Sequence, residues 1–460
     1  MIIQRIHKGV PMKRFILFTI LVSLSLSVLP VYAKNESPWP KGPKVNAKSA
    51  IVMEASTGLI LYEKNIHKKN YPASTTKLMT TLLALENSSM DDVVDFSKDS
   101  VFNIERGSSH IGIDVGEKLT MEDCLYGIML ASANEVSYAV AEHISGSIEN
   151  FSNLMNERAK ELGCEDTHFI NPHGLFDKNH YTSAYDLALI SKELLKNESF
   201  RAINSTVNYV IGPTNIQKES RPLCNHHKML KNSSYYYDGA FGGKTGYTVK
   251  ARYNLATFAS RDNIDLICII MNEDNGQDQY KDTQKLLDFG FDNYTAYKIN
   301  ESQDIKEQES FTLFSKFNHL FNTENLPLKV CNKGIVILPD GIELEETNRS
   351  VHYDNNVSLQ DGINVIGNVI YEYDDKVVGK ADILYDNSQT IKLAKSSILY
   401  DNGLTVQDHI ESNKKIIIIS VITLVFLLIV FLYYVFVRRP RRHRRKHYGR
   451  KFYNHDYRDY

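Results

Sequence analysis

Three short groups of residues in this sequence combine side chains that can carry out nucleophilic chemistry. The first is Ser74 and Lys77 in the stretch YPASTTKLMT. Residues three apart lie on one face of a helix, so this serine and this lysine can touch if a helix begins here. A lysine withdrawn from water loses the hydration that favours its charge and can then accept the seryl proton. The same spacing also occurs as a helix cap beside a solvated lysine, so the pair alone does not define a function.

The second and third groups are also weak when each is taken alone. LASANE contains Ser132 and Asn134, which can form a helix-end cap. GGKTGYT contains Lys244, Thr245 and Gly246, which can form an ordinary turn. The order of the three groups is more informative than any one of them. The signature of the penicillin-binding, serine-acylating enzymes is Ser-x-x-Lys on a helix, then Ser-x-Asn in a loop, then Lys-Thr-Gly at the head of a strand.

The spacing of apolar residues predicts the elements that position these groups. Residues 49–65 predict a strand pair around Ser56-Thr57-Gly58, and the helix bearing Ser74 follows. Further helical patterns cover 121–144, 148–163 and 182–197, the last capped by Thr182 or Ser183.

Beyond residue 236 the apolar period changes from that of a helix to that of a strand. Residues 253–260 and 265–272 predict paired strands around a turn at 261–263. Strands, then helices, then strands indicate an α+β domain whose sheet is closed by its two chain ends. Residues 300–400 predict a small all-β domain with a hairpin at Asp374-Asp375-Lys376 and no catalytic group.

Residues 46–299 resemble the low-molecular-mass D-alanyl-D-alanine carboxypeptidases of the peptidase S11 family. This resemblance is carried by the three motifs and by three further stretches, which are FINPHGL (169–175), HYTSAYDLALIS (180–191) and ARYNLATFASR (251–261). It implies a β-lactamase/transpeptidase-like domain, in which an antiparallel sheet with helices adjoins an all-helical region. The β domain resembles the extra domain that many of these enzymes carry.

The resemblance also implies a reaction on the peptide stem of peptidoglycan. Ser74 would attack the carbonyl of the penultimate D-alanine, Lys77 would take its proton, and Ser132 would relay a proton to the leaving amine. Water would then cleave the acyl-enzyme. β-Lactam antibiotics would be covalent inhibitors, and no cofactor or metal is needed.

The remaining site residues implied by the resemblance bind the substrate. Asn134 would bind its amide, while Lys244 and Thr245 would hold the terminal carboxylate. Gly246 would let the strand approach the substrate, and the backbone N–H groups of Ser74 and Tyr247 would stabilise the oxyanion.

Three rival functions share some of these features. A class A β-lactamase uses the same motifs but adds a deacylating glutamate, and no Glu-x-x-Leu-Asn stretch follows Asn134 at a suitable distance. A D,D-transpeptidase would prefer an amine over water as the acceptor. A non-catalytic cell-wall-binding protein would not need all three motifs intact.

Two apolar runs place this domain outside the cytoplasm. Lys13 and Arg14 precede an apolar run that ends in PVYA, so residues 1–33 predict a signal segment, with Met12 as a possible start and an uncleaved anchor as the alternative. Residues 34–45 then form a linker.

The second apolar run predicts a membrane anchor. Residues 416–437 carry no charge, which predicts a transmembrane helix after a linker at 401–415. Nine Lys or Arg follow within 438–451, so the tail 438–460 is predicted to be cytoplasmic and the protein a single-pass membrane protein.

Composition excludes other classes of function. The 460 residues are 43% hydrophobic and carry a net charge of −2, which predicts a globular chain without a nucleic-acid partner. The five cysteines lack metal or disulfide spacing, and Cys124 and Cys268 lie in apolar runs that predict buried positions. His226 and His227 also lack metal-ligand companions at short spacing.

Overall fold

The computed structural model describes residues 37–299, 328–331, 334–354, 358 and 360–386. The predicted signal segment, the predicted transmembrane run 416–437 and the basic tail lie outside the described residues. Within the described ranges, no helix combines the length and the apolar composition needed to cross a membrane.

A five-stranded antiparallel sheet, in the order β2-β1-β9-β8-β7, organises residues 49–273. Its strands are β1 (Ser49–Glu54), β2 (Ile60–Lys64), β7 (Ala240–Thr248), β8 (Arg252–Arg261) and β9 (Ile264–Glu273). β1 pairs with β9, which confirms the prediction that the two chain ends of the domain close one sheet. The predicted hairpin between β8 and β9 is also confirmed. Asp262 and Asn263 have the positive φ angles, 50° and 66°, that its two-residue turn requires.

The helices surround this sheet. They are α1 (Lys77–Asn87), α2 (Lys98–Phe102), α3 (Met121–Met129), α4 (Asn134–Ser145), α5 (Ile148–Glu161), α6 (Ala184–Leu194), α7 (Glu198–Ser205) and α8 (Asp278–Asp292). The helical pattern over 121–144 is divided into α3 and α4 by the loop that holds Ser132. Of the two capping candidates for α6, the structure selects Ser183, whose hydroxyl accepts the N–H of Asp186.

Alternating side chains of the central strands enter two different hydrophobic cores. On β1, Ile51 and Met53 pack with the helices that carry the site, whereas Ala50 and Val52 pack with α8. A strand buried on both faces has no polar alternation, and for this reason β1 and β9 are apolar along most of their length. Cys124 and Cys268 are buried in these cores, as predicted.

A second antiparallel sheet, in the order β10-β12-β15-β14-β13, lies mostly in the predicted all-β region 300–400, but its strand β10 precedes the predicted boundary and pairs with β12. Its strands are β10 (Tyr294–Lys298), β12 (Ile335–Pro339), β13 (Asn348–Tyr353), β14 (Ile363–Tyr373) and β15 (Lys376–Asp386), and β11 (Leu328–Val330) pairs with β15. The turn at Asp374 and Asp375 is confirmed, with φ angles of 48° and 60°.

The first described residues contact this second sheet. Trp39 donates its indole N–H to Asp374 at 2.8 Å, and Lys376 lies over the indole ring at 4.1 Å. Near the start of β14, the side chain of Asn364 accepts the N–H of Gln360 at 2.7 Å.

Two short strand pairs and one strand position were not anticipated from the sequence. β3 (Val93–Asp95) pairs with β4 (Lys118–Thr120), and β5 (Asn208–Ile211) pairs with β6 (Arg221–Cys224). The prediction that Lys244 lies at the head of a strand is wrong. β7 begins four residues earlier, because the glycines at 242 and 243 form part of the strand instead of ending it.

Candidate active site

Ser74 lies in a 3₁₀ turn, Ala73–Thr76, from which α1 continues at Lys77. Ala73 has a φ of 51°, a left-handed conformation that is uncommon for a residue other than glycine. The chain before this turn is held by Asn254 of β8, whose amide group donates to the carbonyls of Tyr71 and Pro72, each at 2.9 Å. The sheet therefore fixes the backbone that presents Ser74.

The amine of Lys77 contacts the Ser74 hydroxyl and two other acceptors. Its Nζ lies 3.2 Å from Ser74 Oγ, 2.6 Å from Asn134 Oδ1 and 2.7 Å from the carbonyl of His173. A neutral amine has two N–H bonds and one lone pair. With both N–H bonds directed to Asn134 and His173, the lone pair faces the Ser74 hydroxyl and can accept its proton.

Burial determines the protonation of both lysines of the motifs. Lys77 has no exposed surface, and burial, with a smaller effect of the Lys244 charge, holds its pKa well below the usual range of lysine. Lys244 is also buried, and burial lowers its pKa to about 7. Desolvation disfavours the ammonium form, so Lys77 has the property that a general base at neutral pH requires.

Ser132 and Asn134 lie at the loop between α3 and α4, as the motif predicts. Ser132 has a φ of 61°, and its Oγ is buried without a hydrogen-bond partner among the described residues. An unpartnered buried hydroxyl is costly, and such groups cluster at functional sites. Asn134 begins α4, and its Oδ1 accepts a hydrogen bond from Lys77. Its amide N–H₂ group can therefore donate to a ligand.

The Lys-Thr-Gly segment of β7 lies directly beside the Ser74 turn. A Cβ on Gly246 would lie 2.9 Å from the carbonyl of Pro72 and 3.1 Å from the nitrogen of Ser74. The resemblance implied that Gly246 lets the strand approach the substrate. The structure shows that a side chain here would first collide with the protein's own main chain, so glycine is required for β7 to approach the turn.

One contributor that the sequence reasoning did not assign is the segment 169–182. It supplies the His173 carbonyl to Lys77, and Pro172 accepts the Thr80 hydroxyl at 2.6 Å. His180 accepts the N–H of Ile170 at Nδ1, so its Nε2 carries the proton and donates to Thr76 at 2.8 Å. Burial lowers the pKa of His180 to about 3, which keeps the ring neutral.

A cleft of about 930 Å³ joins these groups. Lys77 and Lys244 are buried and are not among the lining residues, whereas the other predicted site residues line the cleft. The lining residues are Ser74, Gly107, Ser108, Ser109, Ser132, Asn134, Gly174, Leu175, His226, Lys228, Ser234, Tyr235, Thr245, Gly246, Tyr247, Thr248, Tyr253, Asn275, Gly276, Gln277, Gln279 and Tyr280. Its volume is at the upper end of the range for small-ligand sites.

The two adjacent histidines have different positions. His226 lines the cleft, whereas His227 is buried and donates from Nε2 to the carbonyl of Ala256 at 3.1 Å. Across the part of the chain that the structure describes, no group of His, Cys, Asp or Glu has the arrangement of a metal site, and the five cysteines are unpaired.

These features define a serine-acylating hydrolase of the penicillin-binding fold. A family profile described as D-alanyl-D-alanine carboxypeptidase, peptidase S11, matches residues 35–275. The chain is 32% identical over 382 residues to D-alanyl-D-alanine carboxypeptidase DacF of Bacillus subtilis, covering 81% of this chain and 93% of that protein. The chain therefore belongs to the D-alanyl-D-alanine carboxypeptidase family.

Solved structures agree with this assignment. Penicillin binding protein 6B from Escherichia coli superposes with a TM-score of 0.56 and 25% identity, over 76% of this chain and 98% of that one. The Streptomyces K15 DD-transpeptidase superposes with a TM-score of 0.52 and 28% identity, over 55% of this chain and all of that one.

Proposed function

We propose that this protein is a serine D-alanyl-D-alanine carboxypeptidase that removes the terminal D-alanine from the peptide stems of peptidoglycan and is acylated by penicillin. The observation that carries the proposal is the environment of Lys77. A buried amine, held by Asn134 and the His173 carbonyl, faces the Ser74 hydroxyl at 3.2 Å. Family membership supplies the substrate class.

The first half of the reaction forms an acyl-enzyme. Ser74 Oγ attacks the carbonyl of the penultimate D-alanine while its proton passes to Lys77 Nζ. The backbone N–H groups of Ser74 and Tyr247 stabilise the oxyanion. Collapse of the intermediate breaks the peptide bond, and the proton reaches the leaving amine through the Ser132 hydroxyl, which has no competing partner among the described residues.

The second half of the reaction releases the shortened stem. A water molecule attacks the ester carbonyl and gives one proton to the Lys77 amine. Collapse of the intermediate breaks the bond to Ser74 Oγ, which takes that proton back from Lys77. Thr245 and Lys244 bind the terminal carboxylate before the first step, and the D-alanine leaves with that carboxylate. Thr245 lines the cleft and offers its hydroxyl to the carboxylate, and the buried Lys244 next to it supplies the positive charge.

Replacing the nucleophile tests the proposal directly. We expect Ser74→Ala to abolish both D-alanine release from an acyl-D-alanyl-D-alanine substrate and covalent labelling by fluorescent penicillin. Ser234→Ala, an exposed serine of the same cleft, is the matched control and should keep both. Mass spectrometry that found a penicilloyl adduct on the Ser74→Ala protein would refute the assignment.

A second candidate activity uses the same acyl-enzyme. The similarity to a DD-transpeptidase indicates that an amine can replace water as the acceptor on this scaffold. Adding a D-amino acid or a glycyl peptide to the reaction measures the ratio of transfer to hydrolysis. A ratio above one at millimolar acceptor would make transfer the principal activity.

We also propose that the enzyme acts outside the cytoplasm from a single membrane anchor. The support for this topology is sequence alone: the uncharged run 416–437 and the nine basic residues that follow it. No interaction with nucleic acid is proposed, because the basic block directly follows the apolar run.

A further inference from the structure

A buried ion pair, Glu117 with Arg221, lies outside the set of residues that the proposed reaction uses. Glu117 directly precedes β4, and its side chain has no exposed surface. Arg221 begins β6 and donates two hydrogen bonds to it, from Nη1 to Oε1 at 2.6 Å and from Nη2 to Oε2 at 2.8 Å. A guanidinium and a carboxylate paired in this way form one of the strongest hydrogen-bonded contacts between side chains.

The Glu117–Arg221 pair also binds the main chain and one hydroxyl around it. Glu117 Oε1 accepts the hydroxyl of Thr214 at 2.7 Å, and Oε2 accepts the N–H of Asp114 at 2.9 Å. Arg221 Nη2 donates to the carbonyl of Gly112 at 3.1 Å. The pair therefore joins the 112–117 loop to the β5–β6 hairpin.

The bond to Gly112 connects the pair to the C-terminal side of the Ser132 loop. Gly112 lies three residues after Ser109, which lines the cleft. The carbonyl of Ser109 accepts the N–H of Asn134 at 2.9 Å. Asn134 is two residues after Ser132, so Arg221 is linked through one short segment to the backbone that follows this serine.

Strand β6 connects the pair to the N-terminal side of the same loop. It runs from Arg221 to Cys224, and His226 follows two residues later. The N–H of His226 donates to the carbonyl of Leu130 at 3.2 Å. Leu130 is two residues before Ser132, so the pair reaches this serine from both sides.

A second cavity shows that packing alone does not hold these segments together. Its volume is about 430 Å³, and it is lined by His110 and Ile111 of one segment, Ala131 beside Ser132, and Arg221 and His226 of the other segment. Side chains that face an open cavity lack packing partners on that side. The hydrogen bonds that begin at the Glu117–Arg221 pair therefore have a larger share in fixing the distance between the segments.

We propose that Glu117 and Arg221 are positioning residues that hold Ser132 in place for proton transfer to the leaving amine. The inference rests on the proposed function, in which the Ser132 hydroxyl carries that proton. Ser132 Oγ has no hydrogen-bond partner among the described residues, so the backbone on either side of Ser132 determines where its hydroxyl lies. Proton transfer requires the two heavy atoms to be within hydrogen-bond reach, and a small displacement lowers kcat more than it raises KM.

Breaking the pair with one substitution tests the proposal. Glu117→Gln keeps the size of the side chain and removes its charge, which weakens the bonds that hold Arg221. We expect kcat for D-alanine release from an acyl-D-alanyl-D-alanine substrate to fall about tenfold or more, with KM changed by less than about threefold. Wild-type kcat in this variant would overturn the proposal.

A double substitution separates positioning from stability. Glu117→Gln leaves Arg221 as a buried charge without its partner, so the melting temperature should fall. Glu117→Gln combined with Arg221→Met leaves no such charge, and the melting temperature should recover. The bond to Gly112 is still missing in the double variant, so kcat should stay about tenfold below the wild type. Recovery of kcat together with the melting temperature would reduce the pair to a structural role and overturn the proposal.

The control is an ion pair that does not touch either cavity. Glu86 of α1 binds Arg158 of α5 at 2.7 Å, and neither residue lines the cleft. Glu86→Gln should keep the wild-type kcat. A fall in Glu86→Gln equal to that in Glu117→Gln would show a general effect of losing an ion pair and would also overturn the proposal.

Amide hydrogen exchange tests the same connections without reference to activity. The N–H groups of Asn134 and His226 end the two connections, and in Glu117→Gln they should exchange at least about fivefold faster, whereas those of α5 should not change. Unchanged exchange at both groups would overturn the proposal. Labelling of Ser74 by fluorescent penicillin in the wild type decides the proposed function separately. A wild type without labelling would refute that function, while hydrogen exchange would still decide whether the pair fixes the Ser132 loop.

Discussion

Lys77 and Lys244 are the two residues on which the chemistry of the site depends most directly. Both are buried, but Lys77 has two fixed acceptors and faces a hydroxyl, whereas Lys244 donates to the carbonyl of Thr245 at 3.2 Å. The first arrangement suits a proton acceptor, and the second suits a cation near a carboxylate. We therefore expect Lys77 to determine how the acylation rate depends on pH, and Lys244 to determine how kcat/KM depends on the charge of the substrate.

Acylation should depend only weakly on pH above neutrality. A lysine base is active when neutral, and burial lowers the pKa of Lys77 well below its usual range. With an unshifted pKa of about 10.4, the rate would rise about 100-fold between pH 7 and pH 9. We expect a rise of less than about tenfold in the rate of labelling by fluorescent penicillin. A hundredfold rise would show that Lys77 is protonated in the free enzyme.

Lys244 should discriminate between a substrate with a free carboxylate and its amide. Loss of a charge-assisted hydrogen bond of roughly 1.5–3 kcal/mol predicts a fall of about 10- to 150-fold in kcat/KM for the acid in Lys244→Gln. The amide, which lacks the charge, should be affected less. Lys250→Gln, an exposed lysine beyond the end of β7, is the control. An unchanged acid-to-amide ratio in Lys244→Gln contradicts this role.

At the scale of elements, the site depends on close contact between the 169–182 segment and the Ser74 turn. Gly174 has a φ of 83°, and a Cβ there would lie 1.8 Å from the carbonyl of Ala73. The same carbonyl belongs to the left-handed residue that precedes Ser74. The segment therefore reaches Lys77 only because residue 174 has no side chain.

Substitution of Gly174 should be far more damaging than substitution of another left-handed glycine. Gly146, the C-cap of α4, has a φ of 73°, and a Cβ there would meet no atom within 4 Å, so Gly146→Ala should cost about 1–2 kcal/mol for backbone strain alone. Gly174→Ala adds a collision and should cost more, with loss of acylation. Urea unfolding and penicillin labelling measure both effects. Equal unfolding free energies for the two variants would contradict this explanation.

The sequence predicted the elements of the site more reliably than their contacts. The β1–β2 and β8–β9 hairpins, the helix at Ser74 and the Ser132 loop follow from local periodicity and turn residues. The His173 carbonyl could not be predicted in this way, because main-chain groups carry no residue-type signal. Asn254 is an ordinary polar residue in the sequence. Only the tertiary fold brings it to the Ser74 turn.

For the whole molecule, the catalytic groups and the predicted membrane anchor are separate in sequence. The site residues lie between Ser74 and Tyr247, and a chain that ends at residue 413 keeps both sheets. We expect this shortened protein to remain in the aqueous phase of a detergent partition with kcat/KM within about twofold of the full chain. A tenfold loss would show that the C-terminal segment contributes to the site.

The predicted topology has its own test. Protease added to intact cells without a wall should degrade the catalytic domain and leave an epitope on the basic tail protected, because positive charge is retained on the cytoplasmic side. The wild-type protein in detergent, where both regions are accessible, is the control. Digestion of the tail epitope in intact cells would reverse the proposed orientation.

The pairing of β1 with β9 also determines when the site can form during synthesis. Ala50 pairs with Ile270, so the central strands join residues from the two ends of the catalytic domain. Contacts between residues far apart in sequence slow folding, because the chain between them loses conformational entropy when its two ends are brought together. Among the described strands, β7 pairs with β8, and β8 pairs with β9. We therefore expect a growing chain to lack the acylation site until residues 264–273 have emerged, and β-lactam labelling of nascent chains of increasing length measures when this sheet is complete.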